Sequence, residues 1–379
     1  MSSGFYWHER CFWHDLGAIG VFSSPGEFRQ PQPASESAES KRRLKNLLEV
    51  SGLIDALEVH KPAPATRDDL ERFHSAEYLD FLEAAERAGG GDGGDGAPFM
   101  PGSLAAARQS AGLAIAALEA VATGQQRNAY ALCRPPGHHA EADRGRGFCL
   151  LGNIPIAVLR ARALGQVRRV AIVDWDVHHG NGQQAAFYND SEVFTVSLHQ
   201  AQNYPLDSGF FEEQGEGAGR GANLNLPLPP GCGIGAYDYA MRRLVLPALE
   251  AFAPELIIVA CGYDACAKDP LGKMLLNSAA FGAMTRQLKT LAERICDGRL
   301  VLVHEGGYSE GYAPFCGHAA IQALTGSAIE VPDPQNEEIA AWGYQALQPH
   351  QGELIDGWRE RWFADQSRPT SGESDETFT

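Results

Sequence analysis

The sequence predicts an α/β fold built on a mostly parallel sheet. Five short apolar segments carry this prediction, and the stretches between them are long enough for helices: AYALCRPPG, RVAIVDWDV, VFTVSLH, LIIVACGYDA and LVLVHEGGY. Strands that are apolar on both faces are typical of a parallel sheet covered by helices on both sides. Each segment ends in polar residues, so these residues are expected to meet at the carboxyl edge of the sheet, where ligands bind.

Helices are predicted mainly in the first third of the chain. The leucine and isoleucine spacing from Ser40 to Leu57 predicts one helix with Ser40 as its N-cap, and LERFHSAEYLDFLEAAERAG predicts another. The glycine-rich GGGDGGDG, residues 89–96, is predicted to be neither helix nor strand. The alanine-rich ARQSAGLAIAALEAVATG predicts a buried helix that ends at Gly124.

Composition predicts one globular domain. Of 379 residues, 44% are hydrophobic and 21% are charged, enough for a sizeable core. No internal repeat or second core is visible, so residues 1–364 are predicted to form a single catalytic domain. The acidic segment DQSRPTSGESDETFT, residues 365–379, is predicted to be a disordered tail.

The compartment and the partners are predicted from charge and cysteines. The chain opens without a signal-like segment, shows no continuous apolar membrane span, and has eight cysteines without a CxxC pair, which favours reduced core cysteines in a cytoplasmic protein. The net charge of −17 opposes direct nucleic-acid binding and would attract a cationic substrate, such as a lysine-rich tail or a polyamine. The alternative is that this charge serves solubility alone.

The segment VDWDVHHGNG has the character of a metal site. In extended backbone Asp174, Asp176 and His178 point to one face, and an Asp with a His suits zinc or another divalent transition metal. Asp264, at the end of another predicted strand, is the best placed third ligand. Three protein ligands leave one position for water, as in catalytic sites. The alternative is a structural salt-bridge cluster.

Two further motifs are expected near this edge. RPPGHHA places His138 and His139 on a proline-stiffened turn, and Tyr308 follows two glycines in HEGGY. The alternatives are a pair of surface histidines and an ordinary glycine turn. His179 and His199 are interpreted as structural, because only one face of the extended segment can meet the metal.

These motifs, in this order and with HSAEYL upstream, resemble those of histone deacetylases. The resemblance is greatest to the class II branch and to the bacterial histone deacetylase-like and acetylpolyamine amidohydrolases, and it covers about residues 5–327. It implies the three-layer αβα arginase-deacetylase fold, with a central, mostly parallel sheet of about eight strands. It also implies a cytoplasmic, bacterial, zinc-dependent amidohydrolase that removes acyl groups from the ε-amine of lysine.

The resemblance further implies the ions of the site. Asp176, His178 and Asp264 become the ligands of one zinc ion per chain. Asp174 pairs with His138 and helps to hold a structural potassium ion. The other potassium ligands are the hydroxyl of Ser197 and the backbone carbonyls of Asp176, His178 and Leu198.

Catalytic roles follow from the same resemblance. His139 becomes the general base and later the acid, and Tyr308 donates a hydrogen bond to the developing oxyanion. Asn181 stands where class I members have an aspartate, so His139 is oriented by a neutral amide that raises its basicity less. Some family members have histidine in place of this tyrosine and deacetylate acetyl-lysine poorly, so Tyr308 favours an active enzyme over a catalytically silent acyl-lysine-binding protein.

The resemblance also implies a narrow substrate channel, which suits a linear aliphatic arm. Its predicted residues are Gly147 and Phe148, Tyr204 or Phe210 as the opposite wall, Leu271, and Asp95 at the rim as an acceptor for the substrate backbone. Polyamine-specific relatives have a glutamate where this chain has Leu271, which favours acylated lysine and leaves acetylpolyamines as the alternative. An arginase-like enzyme would need two manganese ions, whereas these ligands match one metal.

The N-terminal segment WHERCFWHDLGAIGVFSSPGEF is aromatic and loop-like. Because N-terminal loops of the family often contact neighbouring subunits, it predicts a homo-oligomer.

Overall fold

The computed structural model describes residues 2–19, 26 and 28–366. Its centre is a sheet of eight strands: β1 (Ser3–Tyr6), β2 (Leu57–His60), β3 (Asn128–Ala131), β4 (Val170–Asp174), β5 (Val193–Gln200), β6 (Asn223–Leu228), β7 (Leu256–Cys261) and β8 (Leu300–His304). Their spatial order is β6-β5-β4-β7-β8-β3-β1-β2, and all seven neighbouring pairs are parallel. The predicted fold class is confirmed.

Helices flank this sheet. In chain order they are α1 (Glu39–Ser51), α2 (Arg67–Leu70), α3 (Ala76–Arg87), α4 (Ser103–Ala122), α5 (Asn153–Ala163), α6 (Asn181–Phe187), α7 (Ile234–Ala240), α8 (Leu246–Phe252), α9 (Ser278–Ile295), α10 (Ala313–Thr325), α11 (Asn336–Ala340) and α12 (Pro349–Gln366). A π-helical turn, Met241–Val245, joins α7 to α8. The first two residues of the predicted acidic tail lie in α12, and the others lie outside the described residues.

All five predicted apolar segments form strands of this sheet, namely β3, β4, β5, β7 and β8. Every residue of β4, β7 and β8 is buried, as expected for strands covered on both faces. The eight cysteines are free thiols and all are buried, in agreement with the interpretation as core residues. Helix α4 is long and apolar enough to cross a membrane, but most of it is buried inside the protein, which is typical of a core helix.

The predicted helix over residues 40–57 is wrong at both ends. Helix α1 begins one residue earlier, so Ser40 is buried inside its first turn, and the preceding Ala38 supplies no side-chain cap. Gly52 adopts a left-handed conformation with φ of 80° and ends the helix. Residues Leu53–Ala56 then form a 3₁₀-helix that leads into β2.

The glycine-rich segment also differs from the prediction, because it contains two short strands. Gly91–Asp92 pairs with Pro98–Phe99 in antiparallel fashion, and Gly94–Asp95 pairs in parallel with Gly145–Arg146. A Cβ at Gly94 would lie only 2.7 Å from a carbonyl oxygen of the paired strand. The glycine therefore permits the close backbone approach that makes this pairing.

A buried group of charges joins the N-terminal region to the turn before the tandem histidines. Glu36 accepts hydrogen bonds from Nε and Nη2 of Arg134, both at 2.9 Å, and Nζ of Lys41 lies 3.6 Å from its Oε1. Arg134 also donates to the carbonyl of His14 at 2.9 Å. Burial alone would raise the pKa of Glu36, but Arg134 and then Lys41 outweigh it and lower this pKa to about 2.

Replacing Glu36 by glutamine is expected to lower the free energy of unfolding by about 3–5 kcal/mol, because the Arg134 guanidinium is then buried without its counter-charge. The folded pKa of Glu36 lies below its ordinary value of 4.5, so its carboxylate stabilises the fold above about pH 4.5. That contribution is lost as the pH falls towards 2. Urea unfolding of both proteins at neutral and acid pH measures the difference, which should shrink in acid.

Glu39→Gln is the matched control, because Glu39 is an exposed glutamate at the start of α1. Its unfolding free energy should stay within about 0.5 kcal/mol of the wild type. Equal effects of the two substitutions would contradict a special role for the buried pair.

Candidate metal centre and active site

The predicted site residues lie at the carboxyl edge of four neighbouring strands. Asp174 is the last residue of β4, and the segment that follows it carries two of the predicted metal ligands. Asp264 follows β7, Tyr308 follows β8, and the tandem histidines follow β3. Because these strands are adjacent and parallel, their loops meet at one place.

The three predicted metal ligands converge and are buried. Nδ1 of His178 lies 3.0 Å from Oδ1 of Asp176 and 3.1 Å from Oδ2 of Asp264. The ligand atoms of the three residues all lie within 4.8 Å of one another. Two carboxylate oxygens and one imidazole nitrogen form a donor set that suits zinc or a similar transition metal.

Backbone groups and two glycines shape this group of ligands. Asp176 accepts a hydrogen bond through Oδ2 from the Gly306 amide at 2.8 Å, and Asp264 accepts one through Oδ1 from the Val177 amide at 2.8 Å. Each carboxylate therefore directs its other oxygen to His178. A Cβ at Gly262 would lie 2.2 Å from Oδ2 of Asp176, and one at Gly306 would lie 2.3 Å from Oδ2 of Asp264. A side chain at either glycine would collide with the carboxylates, so the glycines leave room for them, and the residues fit a divalent ion.

Each tandem histidine has the partner predicted for it. Nδ1 of His138 lies 3.0 Å from Oδ2 of Asp174, and Nδ1 of His139 lies 2.7 Å from Oδ1 of Asn181. The two imidazole rings are 3.9 Å apart between centroids. The amide nitrogen of Asn181 donates to the backbone carbonyl of His139 at 3.1 Å, which fixes the amide and hence the ring that it orients.

The two histidines differ in charge. Burial lowers the pKa of His138, but the carboxylates of Asp176 and Asp174 outweigh it and raise this pKa to about 10. Burial, and then the charges of His138 and His178, lower the pKa of His139 well below its usual range. His139 is therefore neutral at neutral pH and can accept a proton.

Two buried carboxylates bind backbone amides of the turns that carry the tandem histidines and Tyr308, and sequence reasoning did not single them out. Oε2 of Glu305 accepts hydrogen bonds from the amides of Gly137 at 2.6 Å and His138 at 3.1 Å. Oδ2 of Asp269 accepts one from the amide of Tyr308 at 2.7 Å. Glu305 stands inside the HEGGY motif and Asp269 stands two positions before Leu271, but neither position reveals which backbone amides a carboxylate binds.

The two histidines interpreted as structural are buried and hydrogen-bonded through both ring nitrogens. His179 contacts Oγ of Ser208 at 2.9 Å and Oε1 of Gln184 at 3.1 Å. His199 lies between Oγ of Ser197 at 2.9 Å and a backbone carbonyl at 3.0 Å. Their contacts satisfy both rings within the protein.

The residues predicted to hold potassium lie together around the end of β4. Ser197 of β5 is the register partner of Asp174, whose Oδ2 also accepts a hydrogen bond from Gln183 at 2.9 Å. The potassium site, with the backbone carbonyls of Asp176, His178 and Leu198, stays a prediction.

Aromatic side chains pack against His139 and Tyr308. The Tyr204 ring is perpendicular to the His139 ring, with centroids 5.0 Å apart, and the Phe148 ring meets the Tyr308 ring edge-on at 5.9 Å. Phe210 is 54% exposed. Of the two candidates for the second wall of the predicted channel, Tyr204 therefore lies against His139, whereas Phe210 faces solvent.

An apolar cluster surrounds Phe148 and Tyr308. Leu16 is buried with Phe148 and Tyr308, and Leu271 and Ala34 pack against them. The role of Leu271 in a substrate channel stays a prediction. Leu16 was missed, because a lone leucine in an irregular N-terminal segment gives no sequence signal of its position.

The predicted rim residue Asp95 belongs to a charged network. Tyr204 donates its hydroxyl to the backbone carbonyl of Asp95 at 3.1 Å and to its Oδ2 at 3.2 Å. Arg146 donates to Asp95 at 3.2 Å, to Glu141 at 3.0 Å and to Asp207 at 3.1 Å. The rim therefore places three carboxylates around one guanidinium.

Comparison with known proteins agrees with this geometry. The family model of the histone deacetylase domain matches residues 34–324. The chain belongs to the histone deacetylase family. Like the family members that it resembles, this histone deacetylase homologue is a deacetylase, a hydrolase of amide bonds.

The relatives cover nearly the whole chain. The histone deacetylase-like amidohydrolase of Pseudomonas aeruginosa is 51% identical over 340 residues, which cover 89% of this chain and 90% of that protein. Histone deacetylase 8 of Arabidopsis thaliana is 35% identical over 89% of this chain and 90% of its own length. The crystal structure of the HDA15 HD domain matches with a TM-score of 0.80 at 29% identity and covers 96% of each chain.

Gly147 is a position where this histone deacetylase homologue should tolerate no side chain. Its φ is +48°, and a Cβ would lie 2.4 Å from Cδ2 of His139 and 2.7 Å from Cε1 of Tyr204. We expect Gly147→Ala to lower kcat/KM by about 100-fold, because His139 must move. Steady-state kinetics on an acetyl-lysine peptide would measure the loss.

The control for this prediction is Gly96→Ala. Gly96 also has a positive φ, +70°, but a Cβ there meets no atom of the described residues within 4 Å. Gly96→Ala therefore has the same kind of backbone strain as Gly147→Ala, about 1–2 kcal/mol, but it makes no contact with His139. If both variants lost the same activity, backbone strain and not the contact with His139 would be responsible.

Proposed function

We propose that this chain is a zinc-dependent deacylase of the ε-amine of lysine in peptides or proteins. One observation carries the proposal: the group formed by Asp176, His178 and Asp264 lies beside a histidine pair and a buried tyrosine. The rings of His139 and Tyr308 have centroids 5.9 and 6.4 Å from that of His178. When bound, a zinc ion supplies Lewis acidity to the amide carbonyl and acidity to water.

The histidine pair handles the proton. His139 is neutral and held by Asn181, so its free nitrogen can take a proton from the attacking water. The same nitrogen can return the proton to the leaving amine. His138, paired with Asp174, keeps a positive charge beside the developing negative charge.

The tyrosine supplies a hydrogen bond to the oxyanion. Burial, and then the charges of Asp264 and Asp176, raise the pKa of Tyr308 well above its usual range. Its phenol therefore keeps its proton and acts as a donor. The hydrogen bond from its amide to Asp269 fixes the backbone, so the hydroxyl needs little reorganisation during the reaction.

The channel favours an uncharged aliphatic arm. Phe148, Tyr204 and Leu271 line it with apolar surface, and Leu271 stands where a glutamate would recognise a distal ammonium. This supports an acylated lysine as the substrate.

Acetylpolyamines are the second candidate. The net charge of −17 and the rim carboxylates Asp95, Glu141 and Asp207 would attract a polycation. These three carboxylates face two guanidiniums, those of Arg146 and Arg144, so the group keeps a net negative charge.

Deacetylation rates of the zinc-loaded protein would test the proposal on an acetyl-lysine peptide, acetylputrescine and acetylspermidine side by side. We expect faster turnover of the peptide than of the polyamines. We also expect chelation to remove this turnover and added zinc to restore it. Faster turnover of the polyamines would replace acyl-lysine by the second candidate. Turnover that survives chelation would overturn the metal dependence, and restoration by iron alone would change the assigned metal.

A further inference from the structure

A second group of metal-capable side chains lies behind the first. His138, Cys149 and Glu305 are all buried, and one potential ligand atom from each lies within 4.8 Å of the other two. They come from three separate segments: the tandem-histidine turn, the loop before α5 and the end of β8. None of them belongs to the group of Asp176, His178 and Asp264.

The two oxygens of Glu305 are in different situations. Oε2 accepts the two backbone hydrogen bonds from Gly137 and His138. Oε1 is buried and has no hydrogen-bond partner among the described residues. A buried carboxylate oxygen without a partner costs free energy, and a bound cation would remove that cost.

The thiol beside it is only weakly held. Sγ of Cys149 contacts the carbonyl oxygen of Gly147 at 3.5 Å, which is a weak hydrogen bond for a thiol. The side chain is completely buried, so it lies inside the protein together with the unpartnered oxygen of Glu305. Burial raises the pKa of the Cys149 thiol well above its usual range, so a cation that binds here must displace its proton. The thiolate formed in this way is a strong ligand for a soft cation.

We propose that Glu305 Oε1, Cys149 Sγ and a ring nitrogen of His138 form a second metal site for a thiophilic divalent cation such as Zn²⁺ or Cd²⁺. An oxygen, a sulfur and a nitrogen are all accepted zinc ligands, and thiolate selects against magnesium and calcium. Ligand atoms in a tetrahedral zinc site lie roughly 3.6 Å apart, so a side-chain movement of about 1 Å closes the site.

Occupation of this site should inhibit the enzyme. This consequence rests on the proposed function, in which His138 belongs to the catalytic histidine pair. To bind His138 the cation must displace a ring proton, so the imidazolium charge is lost and a metal ion stands beside a ring whose centroid lies 3.9 Å from that of His139. Metal dependence should therefore have two phases, with activation by the first zinc ion and inhibition by excess zinc.

Cadmium titration of the zinc-loaded protein tests the binding itself, without activity as the readout. Cadmium bound to a thiolate absorbs in the ultraviolet, and the group of Asp176, His178 and Asp264 contains no thiol. We expect one charge-transfer band that saturates at one cadmium ion per chain. Cys149→Ala should abolish it, whereas Cys232→Ala, a second fully buried cysteine, should leave it unchanged.

Cys149→Ser guards against misfolding of the alanine variant, because serine can still donate to the Gly147 carbonyl. A cadmium band of wild-type size in a folded Cys149→Ala or Cys149→Ser protein would contradict the proposed second metal site. In these variants the zinc concentration that inhibits half of the activity should rise about 10- to 100-fold. Loss of the cadmium band with unchanged zinc inhibition would support the second metal site but contradict inhibition through His138. Failure of deacetylation in all of the proteins would contradict the proposed function and not the second metal site.

Discussion

Replacing Tyr308 by phenylalanine is expected to lower kcat by about 100- to 1000-fold and to leave KM nearly unchanged. The substitution removes only the phenol hydroxyl. The aromatic ring that packs against Phe148 and Leu16 remains, so the channel keeps its shape. Because the hydroxyl is needed only when negative charge develops on the substrate oxygen, substrate binding should survive.

Two measurements would separate this role from a structural one. Binding of an acetyl-lysine peptide to Tyr308→Phe, measured by calorimetry, should match binding to the wild type. Tyr312→Phe is the control on the same segment, because the Tyr312 hydroxyl contacts Asp333 at 2.7 Å outside the site. An unchanged rate in Tyr308→Phe would contradict the oxyanion role. Equal rate losses in Tyr308→Phe and Tyr312→Phe would show that the loss of rate comes from impaired folding.

The second large effect is expected for Asp264→Asn, which should abolish retention of zinc and with it nearly all activity. An amide lacks the negative charge of the carboxylate oxygen that faces Nδ1 of His178. The loss of zinc affinity should exceed the roughly 10- to 100-fold typical of changes to residues that only orient a ligand. Zinc content after equilibrium with a competing chelator would measure it.

Thermal unfolding adds a readout that does not depend on activity. Zinc should raise the Tm of the wild type, because it binds the folded state, and should have no effect on Asp264→Asn. Without metal the variant should be about as stable as the wild type, because burial raises the pKa of Asp264 to about 8 and the substitution then exchanges one uncharged group for another at neutral pH. Asp333→Asn is the control, because the Asp333 carboxylate accepts hydrogen bonds from the hydroxyls of Ser278 and Tyr312 outside the site. This variant should retain zinc, and a loss of zinc from it would show that the assay reports general damage to the fold.

Five strands of the sheet could be predicted from the sequence, but the edge strands β2 and β6 and the inner strand β1 could not. β4, β7 and β8 are buried on both faces and so appear as continuous apolar segments. β2 is short and has two exposed residues, and β6 contains two asparagines and a proline, so neither has that pattern. Their pairing depends on neighbours in the sheet, which local composition does not record.

The residues of the candidate site also divide into those that the sequence predicts and those that it does not. Ligands at strand ends could be predicted because parallel topology alone brings strand ends together. Contacts between distant segments could not: Glu36 and Arg134 are 98 positions apart, and nothing around either residue indicates the other. The choice between Tyr204 and Phe210 also needed the structure, because both are aromatic residues of one loop.

The short strand pair at the rim has a consequence for enzyme engineering. The amide of Gly147 donates to the carbonyl of Asp95 at 3.0 Å, and the amide of Phe148 donates to the carbonyl of Gly96 at 2.8 Å. The glycine-rich segment and the segment that carries Phe148 are therefore joined by one backbone ladder. If the proposed function holds, insertions into the glycine-rich segment are expected to alter substrate capture and turnover together, whereas point changes at Leu271, outside the ladder, are expected to change substrate preference while His139 stays in place.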